Sequence, residues 1–104
     1  MWFVGNIFFR SAHEDPCDDG LWEERFVLLE CETQAEAMKW AIKIGKDEEH
    51  SYMAATGKNV KWIFDSVNRV YPIEGDHLTH GAELFSRFLR KSEIKSLKTP
   101  FEEK

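Results

Sequence analysis

The chain has 104 residues, of which 42% are hydrophobic and 32% charged, and its formal net charge is −5. This length predicts one domain over residues 1–104 with a single hydrophobic core, and residues 98–104 as a flexible tail. Because phosphate backbones and anionic lipids repel an acidic chain, the charge argues against nucleic acid and membrane surfaces as partners.

The first predicted element is a β-strand over residues 2–11, which is rich in aromatic and β-branched residues. Successive side chains of a strand point to opposite faces, and here neither face is polar. One face carries Phe3, Gly5, Ile7 and Phe9, and the other carries Trp2, Val4, Asn6 and Phe8. Residues 12–20, which contain Pro16, Gly20 and several carboxylates, predict a loop.

A second strand is predicted over about residues 22–32. Its alternation places Arg25, Val27, Leu29 and Cys31 on one face and Trp22, Glu24, Phe26, Leu28 and Glu30 on the other. Both faces are again apolar at the centre. The sequence therefore predicts a sheet that needs cover on both sides.

A helix is predicted to follow directly, because Thr33 and Glu36 form a T-x-x-E capping box. In this motif the Thr hydroxyl accepts from the N–H of Glu36, and the Glu carboxylate reaches back to the N–H of Thr33. The helix is predicted to run to about Glu49. Small residues at intervals of four, Ala37, Ala41 and Gly45, predict a close approach to the sheet.

The second half of the chain gives weaker signals. Residues 51–58 predict a turn-rich connection, and residues 59–73 predict a third strand with a bulge or bend near Asp65 and Ser66. Residues 81–89 fit a helical stripe slightly better than a two-sided strand by periodicity alone. Ser92 is the predicted N-cap of a short final helix.

Several short motifs together are similar to those of the small bacterial DUF4288 family. They are Trp2-Phe3, Leu21 to Arg25, an Ala-rich helix ending at Ile44-Gly45-Lys46, Glu48 to Tyr52, Trp62 to Phe64, Val70-Tyr71 and Glu83 to Phe88. The resemblance covers roughly residues 2–97. It implies strand-favouring residues at Leu84-Phe85, so residues 81–89 are assigned to a strand against their periodicity.

The predicted fold class is therefore α+β. We expect an antiparallel sheet of about four strands in ββαββ order, one main helix on one face and a short C-terminal helix. The resemblance supplies no chemistry, because the family is one of unknown function.

Candidate catalytic and metal sites are weak. Asp76, His77 and His80 form D-H-x-x-H in a loop, but no further protein ligand to a metal is apparent. His13 and the carboxylates that follow it do not match the spacing of an EF-hand loop. The sequence shows neither a nucleophile motif nor a glycine-rich phosphate loop. We therefore predict no metal and no cofactor, and favour a non-enzymatic role.

Charged residues at the start of the second strand need partners. The sequence predicts an ion pair between Glu24 and either Arg25 or Arg87. Adjacent Glu23 and Glu24 are poor candidates for paired acid and base, since neighbouring strand residues point to opposite faces.

The face turned away from the main helix is the predicted functional surface. Its candidate interface or ligand residues are Trp2, Val4, Phe8, Trp22, Glu24, Phe26, Leu28 and Arg87. Either the C-terminal segment 92–101 covers this face, or a partner does: a second copy of the chain or another protein.

The leading hypothesis is a protein-interaction module that binds through this aromatic face or its acidic loops. In size and charge it resembles immunity and antitoxin proteins that neutralise a basic surface. The alternative is a small-ligand or enzymatic site built from Trp22, Glu24, Arg25 and Arg87.

The cysteines and the N-terminus indicate the compartment. Cys17 and Cys31 are too few for a disulfide framework, and Cys31 is predicted to be a small buried residue. The apolar segment before Arg10 is too short for a membrane span or a signal peptide. The sequence therefore predicts a cytoplasmic protein.

Overall fold

The computed structural model describes residues 1–14, 20–75 and 78–99. Its elements in chain order are β1 (Trp2–His13), β2 (Trp22–Glu30), α1 (Gln34–Asp47), β3 (His50–Met53), β4 (Asn59–Pro72) and α2 (Lys91–Lys98). The four strands form one antiparallel sheet in the order β2-β1-β4-β3. The predicted α+β class, with its ββαββ order, is confirmed.

The core lies between α1 and one face of the sheet. Phe3, Ile7 and Phe9 of the central strand β1 are buried there. Gly45 of α1 sits directly over β4, since a Cβ at this position would lie 2.4 Å from a ring carbon of Phe64. The predicted close approach of the helix is thus confirmed, with Ala41 and Gly45 among its buried residues.

The start of α1 follows the predicted cap with one change. The hydroxyl of Thr33 accepts a 3.2 Å hydrogen bond from the N–H of Glu36. The carboxylate of Glu36 accepts from the N–H of Glu32 at 3.3 Å, one residue before the expected Thr33. The helix ends at Asp47, slightly before the predicted Glu49.

Strand β4 is irregular where it pairs with β1. The register shifts twice, between Asn6 and Ile7 and again between Phe8 and Phe9. The second shift lies opposite residues 64–66, so the predicted irregularity near Asp65 and Ser66 is confirmed. Such bulges bend a strand and increase its local twist.

The assignment of residues 81–89 to a strand is wrong. Residues 82–90 form no regular structure. The remaining strand is β3, and three of its four residues lie in the stretch 51–58 predicted as a turn-rich connection. β3 lacks a sequence signal because its four residues are all exposed, and pairing with β4 defines it. Of the apolar residues in 81–89, Phe85 lies against the sheet, with its ring 5.2 Å from that of Phe26, whereas Phe88 is fully exposed.

The C-terminal helix α2 packs on none of the other described elements. Its N-cap is Arg90, whose N–H donates a 2.9 Å hydrogen bond to the carboxylate of Glu93, and not the predicted Ser92. No residue of α2 is buried, and Leu97 is 62% exposed. Among the described residues, neither helix is long and apolar enough to cross a membrane.

Candidate interaction surface

The face of the sheet opposite α1, here called the open face, takes its side chains from three strands. They are Trp2, Val4, Asn6 and Phe8 of β1, Trp22, Glu24, Phe26 and Leu28 of β2, and Arg69 and Tyr71 of β4. The alternation predicted for β1 and β2 places all seven strand residues of the candidate surface on this face. The eighth, Arg87, lies in the irregular segment that follows β4.

Residues 82–90, here called the cover segment, close part of the open face. The ring of Phe85 lies 5.2 Å from that of Phe26 and 5.6 Å from that of Tyr71, centroid to centroid. Beneath it Val4 is only 3% exposed. The chain thus covers part of this face with residues 82–90. In the described part of the segment 92–101, one of the two predicted covers, no residue is buried.

The outer part of the open face stays uncovered along β2. Trp22 is 63% exposed, Phe26 44% and Leu28 49%. Beside them runs an apolar groove of about 290 Å³, lined by Val4, Phe26, Val27, Leu28, Leu84 and Phe85. Large apolar side chains exposed in one strip are typical of a binding surface.

Strand β2 also presents free backbone groups, because it is an edge strand of the sheet. The N–H of Cys31 donates to the carbonyl of Met1, and the carbonyl of Leu21 accepts from the N–H of Ser11. These bonds point the backbone groups of odd-numbered residues towards β1. By the alternation of an antiparallel strand, those of the even-numbered residues point outwards.

We call this outward set the β2 edge: Trp22, Glu24, Phe26, Leu28 and Glu30. Its members have their side chains on the open face and their N–H and C=O groups at the free edge of the sheet. A long, exposed and apolar edge strand is a template for pairing with another strand. This arrangement can bind a polypeptide by adding a strand.

The centre of the open face is polar. Asn6 is 1% exposed, and its side-chain nitrogen donates to the carboxylate of Glu24 at 3.2 Å. Its carbonyl oxygen accepts from the side chain of Asn68 at 2.8 Å. The Asn6 amide is thus bonded through both its oxygen and its nitrogen, as a buried polar group requires.

The ion pair predicted for Glu24 does not form. Arg25 points to the α1 side, where its guanidinium bonds Glu23 at 2.8 Å, approaches Glu48 at 3.4 Å and lies 4.7 Å from the ring centroid of Phe9. Strand alternation is the reason, because adjacent residues face opposite sides. The expected ligand set of Trp22, Glu24, Arg25 and Arg87 is therefore not brought together.

Arg87 instead lies over an aromatic ring. Its guanidinium carbon is 5.6 Å from the ring centroid of Phe85, and that of Arg69 is 5.9 Å from the same point. Among the other predicted residues, Trp2 and Phe8 are partly buried.

Among the described residues, two titratable groups, Tyr71 and Cys31, have perturbed pKa values. Burial raises the pKa of Tyr71, whose buried hydroxyl has no hydrogen-bond partner within the described part of the chain. Burial, followed by the negative charge of Glu36, raises the pKa of the free thiol of Cys31. Cys31 is half-buried and packs against the core, which agrees with its predicted structural role in part.

The predicted metal candidates are only partly described. Asp76 and His77 of the D-H-x-x-H motif lie outside the described residues, as do the carboxylates of residues 15–19. In the ranges that are described, no group of three or more His, Cys, Asp or Glu residues is placed to hold a metal ion.

Sequence reasoning missed Arg69, Tyr71 and Phe85 as parts of this surface. Tyr71 follows from the alternation of β4 once the bulges are placed. Phe85 had a signal, since it belongs to an apolar group in residues 81–89, but that signal does not say which surface the group covers.

A family model described as a domain of unknown function (DUF4288) matches residues 2–86. The match spans the whole sheet, α1 and the first half of the cover segment, and it ends before α2. Neither a curated protein nor a solved structure matches the chain.

Proposed function

Because the chain belongs to the DUF4288 family, whose function is unknown, we propose a function from the geometry of the open face. The protein is a non-enzymatic interaction module that pairs with a second copy of itself through the β2 edge. The observation that carries this proposal is the coincidence, along one edge strand, of free backbone groups and exposed apolar side chains.

A two-fold axis at Phe26 gives the register. It places Phe26 beside Phe26 of the second copy, Glu24 beside Leu28, and Trp22 beside Glu30, so that the full strand is paired. A register centred on Glu24 sets two carboxylates side by side, which destabilises a strand pair. The symmetric arrangement is self-complementary, as a two-fold interface must be.

Backbone hydrogen bonding and apolar burial both favour the dimer, whereas the net charge opposes it. Pairing the β2 edge of each copy forms about ten backbone hydrogen bonds between strands about 30 Å long. Burial of Trp22, Phe26 and Leu28 contributes roughly 25 cal/mol per Å² of apolar surface. The net negative charge of each copy opposes association, so screening by salt should strengthen the dimer.

The other candidate functions have less support. An immunity-like or antitoxin-like role rests on acidic charge and small size, and it predicts a basic partner that adds a strand at the same edge. A ligand site of Trp22, Glu24, Arg25 and Arg87 lacks support because Arg25 lies on the α1 side. The cytoplasmic location stays a prediction.

Light scattering across a dilution series in the micromolar range tests the proposal. The wild-type chain should dissociate from dimer to monomer on dilution, and Phe26→Lys should be monomeric throughout, because it places two like charges at the two-fold axis. Trp40→Lys is the matched control, since Trp40 is an exposed aromatic residue of α1, 51% exposed and away from the open face.

A backbone variant tests strand pairing, and Leu28→Ala, which loses the same side chain but keeps the N–H, is its control. Leu28→Pro removes an N–H that points outwards and so leaves the bonds to β1 intact, as proline on an edge strand can. It should weaken the dimer while preserving the fold. A wild-type chain that stays monomeric at all micromolar concentrations, or dimers that persist in Phe26→Lys, would contradict the proposal.

A further inference from the structure

Two arginines converge on the ring of Phe85, which lies against the open face. The guanidinium carbons of Arg69 and Arg87 lie 5.9 and 5.6 Å from the centroid of Phe85, within cation–π range. Arg69 comes from β4 and Arg87 from the cover segment. The folded chain therefore brings together two cationic groups that are distant in sequence.

Neither guanidinium has an ion-pair partner among the described residues. Within the described ranges, no carboxylate oxygen lies within 4.0 Å of the nitrogens of Arg69 or Arg87. Arg10 and Arg25, by contrast, are each paired with a carboxylate. These two guanidinium groups are therefore available to an external anion, and two acidic residues, Glu74 and Glu83, line a neighbouring depression together with Arg69.

The depression beside Arg69 and Arg87 is large enough for a small ligand. A depression of about 420 Å³ is lined by Arg69, Ser86, Arg87 and Phe88. The ring of Phe85, which both guanidinium groups approach, also lines the apolar groove of about 290 Å³. One aromatic ring is thus shared by the two cationic groups and the apolar groove.

We propose that the depression at Arg69 and Arg87, together with the apolar groove, binds an organic carboxylate with an apolar tail. Arg69 and Arg87 hold the carboxylate, because a guanidinium donates two parallel hydrogen bonds to its two oxygens. The tail lies along Phe85 in the apolar groove. Burial of its hydrocarbon surface there favours binding. Such pairing of an apolar pocket with a few convergent polar groups is typical of ligand sites.

Titration of the full chain with octanoate, followed by the backbone amide signals in NMR, tests the site. Octanol supplies the same tail without charge, and acetate supplies the same head without a tail. Octanoate should shift the signals around residues 69 and 84–88 saturably, with an affinity at least about tenfold above either control compound.

The variants Arg69→Gln and Arg87→Gln should each weaken octanoate binding about tenfold. Arg87→Lys, which keeps the charge but loses the two-pronged donor, should fall in between. Lys95→Gln is the matched control, because Lys95 is an exposed cation of α2 outside the depression. Both arginines are exposed, so the dispersed amide spectrum should be retained in every variant.

Equal affinity for octanol and octanoate would show that the groove is merely apolar, and it would overturn the proposal. So would octanoate binding that is unchanged in both Arg→Gln variants, or no binding to the wild-type chain. The octanoate titration tests ligand binding, and light scattering tests self-association through the β2 edge, so each proposal can fail without the other.

Discussion

Both faces of the sheet carry large apolar residues along β1, yet they are closed in different ways. Helix α1 closes one face through small residues such as Ala41 and Gly45, and beneath it Ile7 is 0% and Phe9 1% exposed. The other face is closed only in part, by an irregular segment that contributes the ring of Phe85. Phe26 on that side remains 44% exposed.

The difference shows what closing a face requires. A helix with small residues at every fourth position can approach the strands closely and exclude water along its whole length. The cover segment forms no regular structure, and it protects Val4 but leaves β2 open. The face that lacks a helix also keeps the polar centre at Asn6 and Glu24, and it is the face for which we propose a role in recognition.

The largest expected effect contrasts one phenylalanine from each face. Phe9→Ala should lower the free energy of unfolding by about 3–5 kcal/mol, because it leaves a cavity in the close-packed core. Phe26→Ala should cost about 1 kcal/mol or less, since the side chain is half exposed. Urea denaturation, measured at a concentration where the chain is monomeric, gives both values. Similar losses would mean that the faces are equally important to stability.

A smaller effect tests how closely α1 packs against the sheet. Gly45→Ala should destabilise the protein by about 1–3 kcal/mol, because the new methyl group overlaps the ring of Phe64. Alanine is otherwise the better helix former by about 1 kcal/mol, so a gain in melting temperature would show that the helix is not packed this tightly. Ala35→Gly, at an exposed position of α1, calibrates the helix propensity alone.

Truncation of Phe85 in the cover segment should lower stability modestly and should clearly increase the exposure of the open face. Phe85→Ala should cost about 1–2 kcal/mol, less than Phe9→Ala, because Phe85 is only partly buried. It should also increase the binding of a hydrophobic dye, since Val4 becomes accessible. Phe88→Ala is the control, because that ring is fully exposed. Unchanged dye binding in Phe85→Ala would contradict the covering role.

The smallest predicted effect concerns Tyr71. Tyr71→Phe should raise stability by about 1 kcal/mol, because it removes a buried hydroxyl without a partner. Burial raises the pKa of Tyr71 in the folded state, so its share of stability is complete below its ordinary pKa near 10 and is lost as the pH rises through the folded value. Denaturation curves of both proteins above pH 10 should show a steeper loss for the wild type.

The α1 face was predictable because each of its signals is local. A capping box at Thr33 and Glu36 and small residues at intervals of four specify where the helix begins and which side is buried. The alternation of β1 and β2 likewise separates the two faces, and it correctly turned Trp22, Phe26 and Leu28 away from α1.

The closing of the open face was not predictable, since it depends on contacts distant in sequence. The apolar group around Phe85 has a helical period, family resemblance favoured a strand, and neither describes a segment lying across a sheet. Strand β3 was missed because four exposed residues carry no pattern. The meeting of Arg69 with Arg87 likewise follows from the position of the cover segment.

Hydrogen exchange of the amides in β2, measured by NMR at low and high protein concentration, tests self-association most directly. The odd-numbered residues, whose N–H groups bond β1, should be protected at both concentrations. Those of Glu24, Phe26 and Leu28 should exchange rapidly in the dilute sample and become protected in the concentrated one, because pairing with a second copy occupies them. Rapid exchange of these three amides at every concentration would contradict the account.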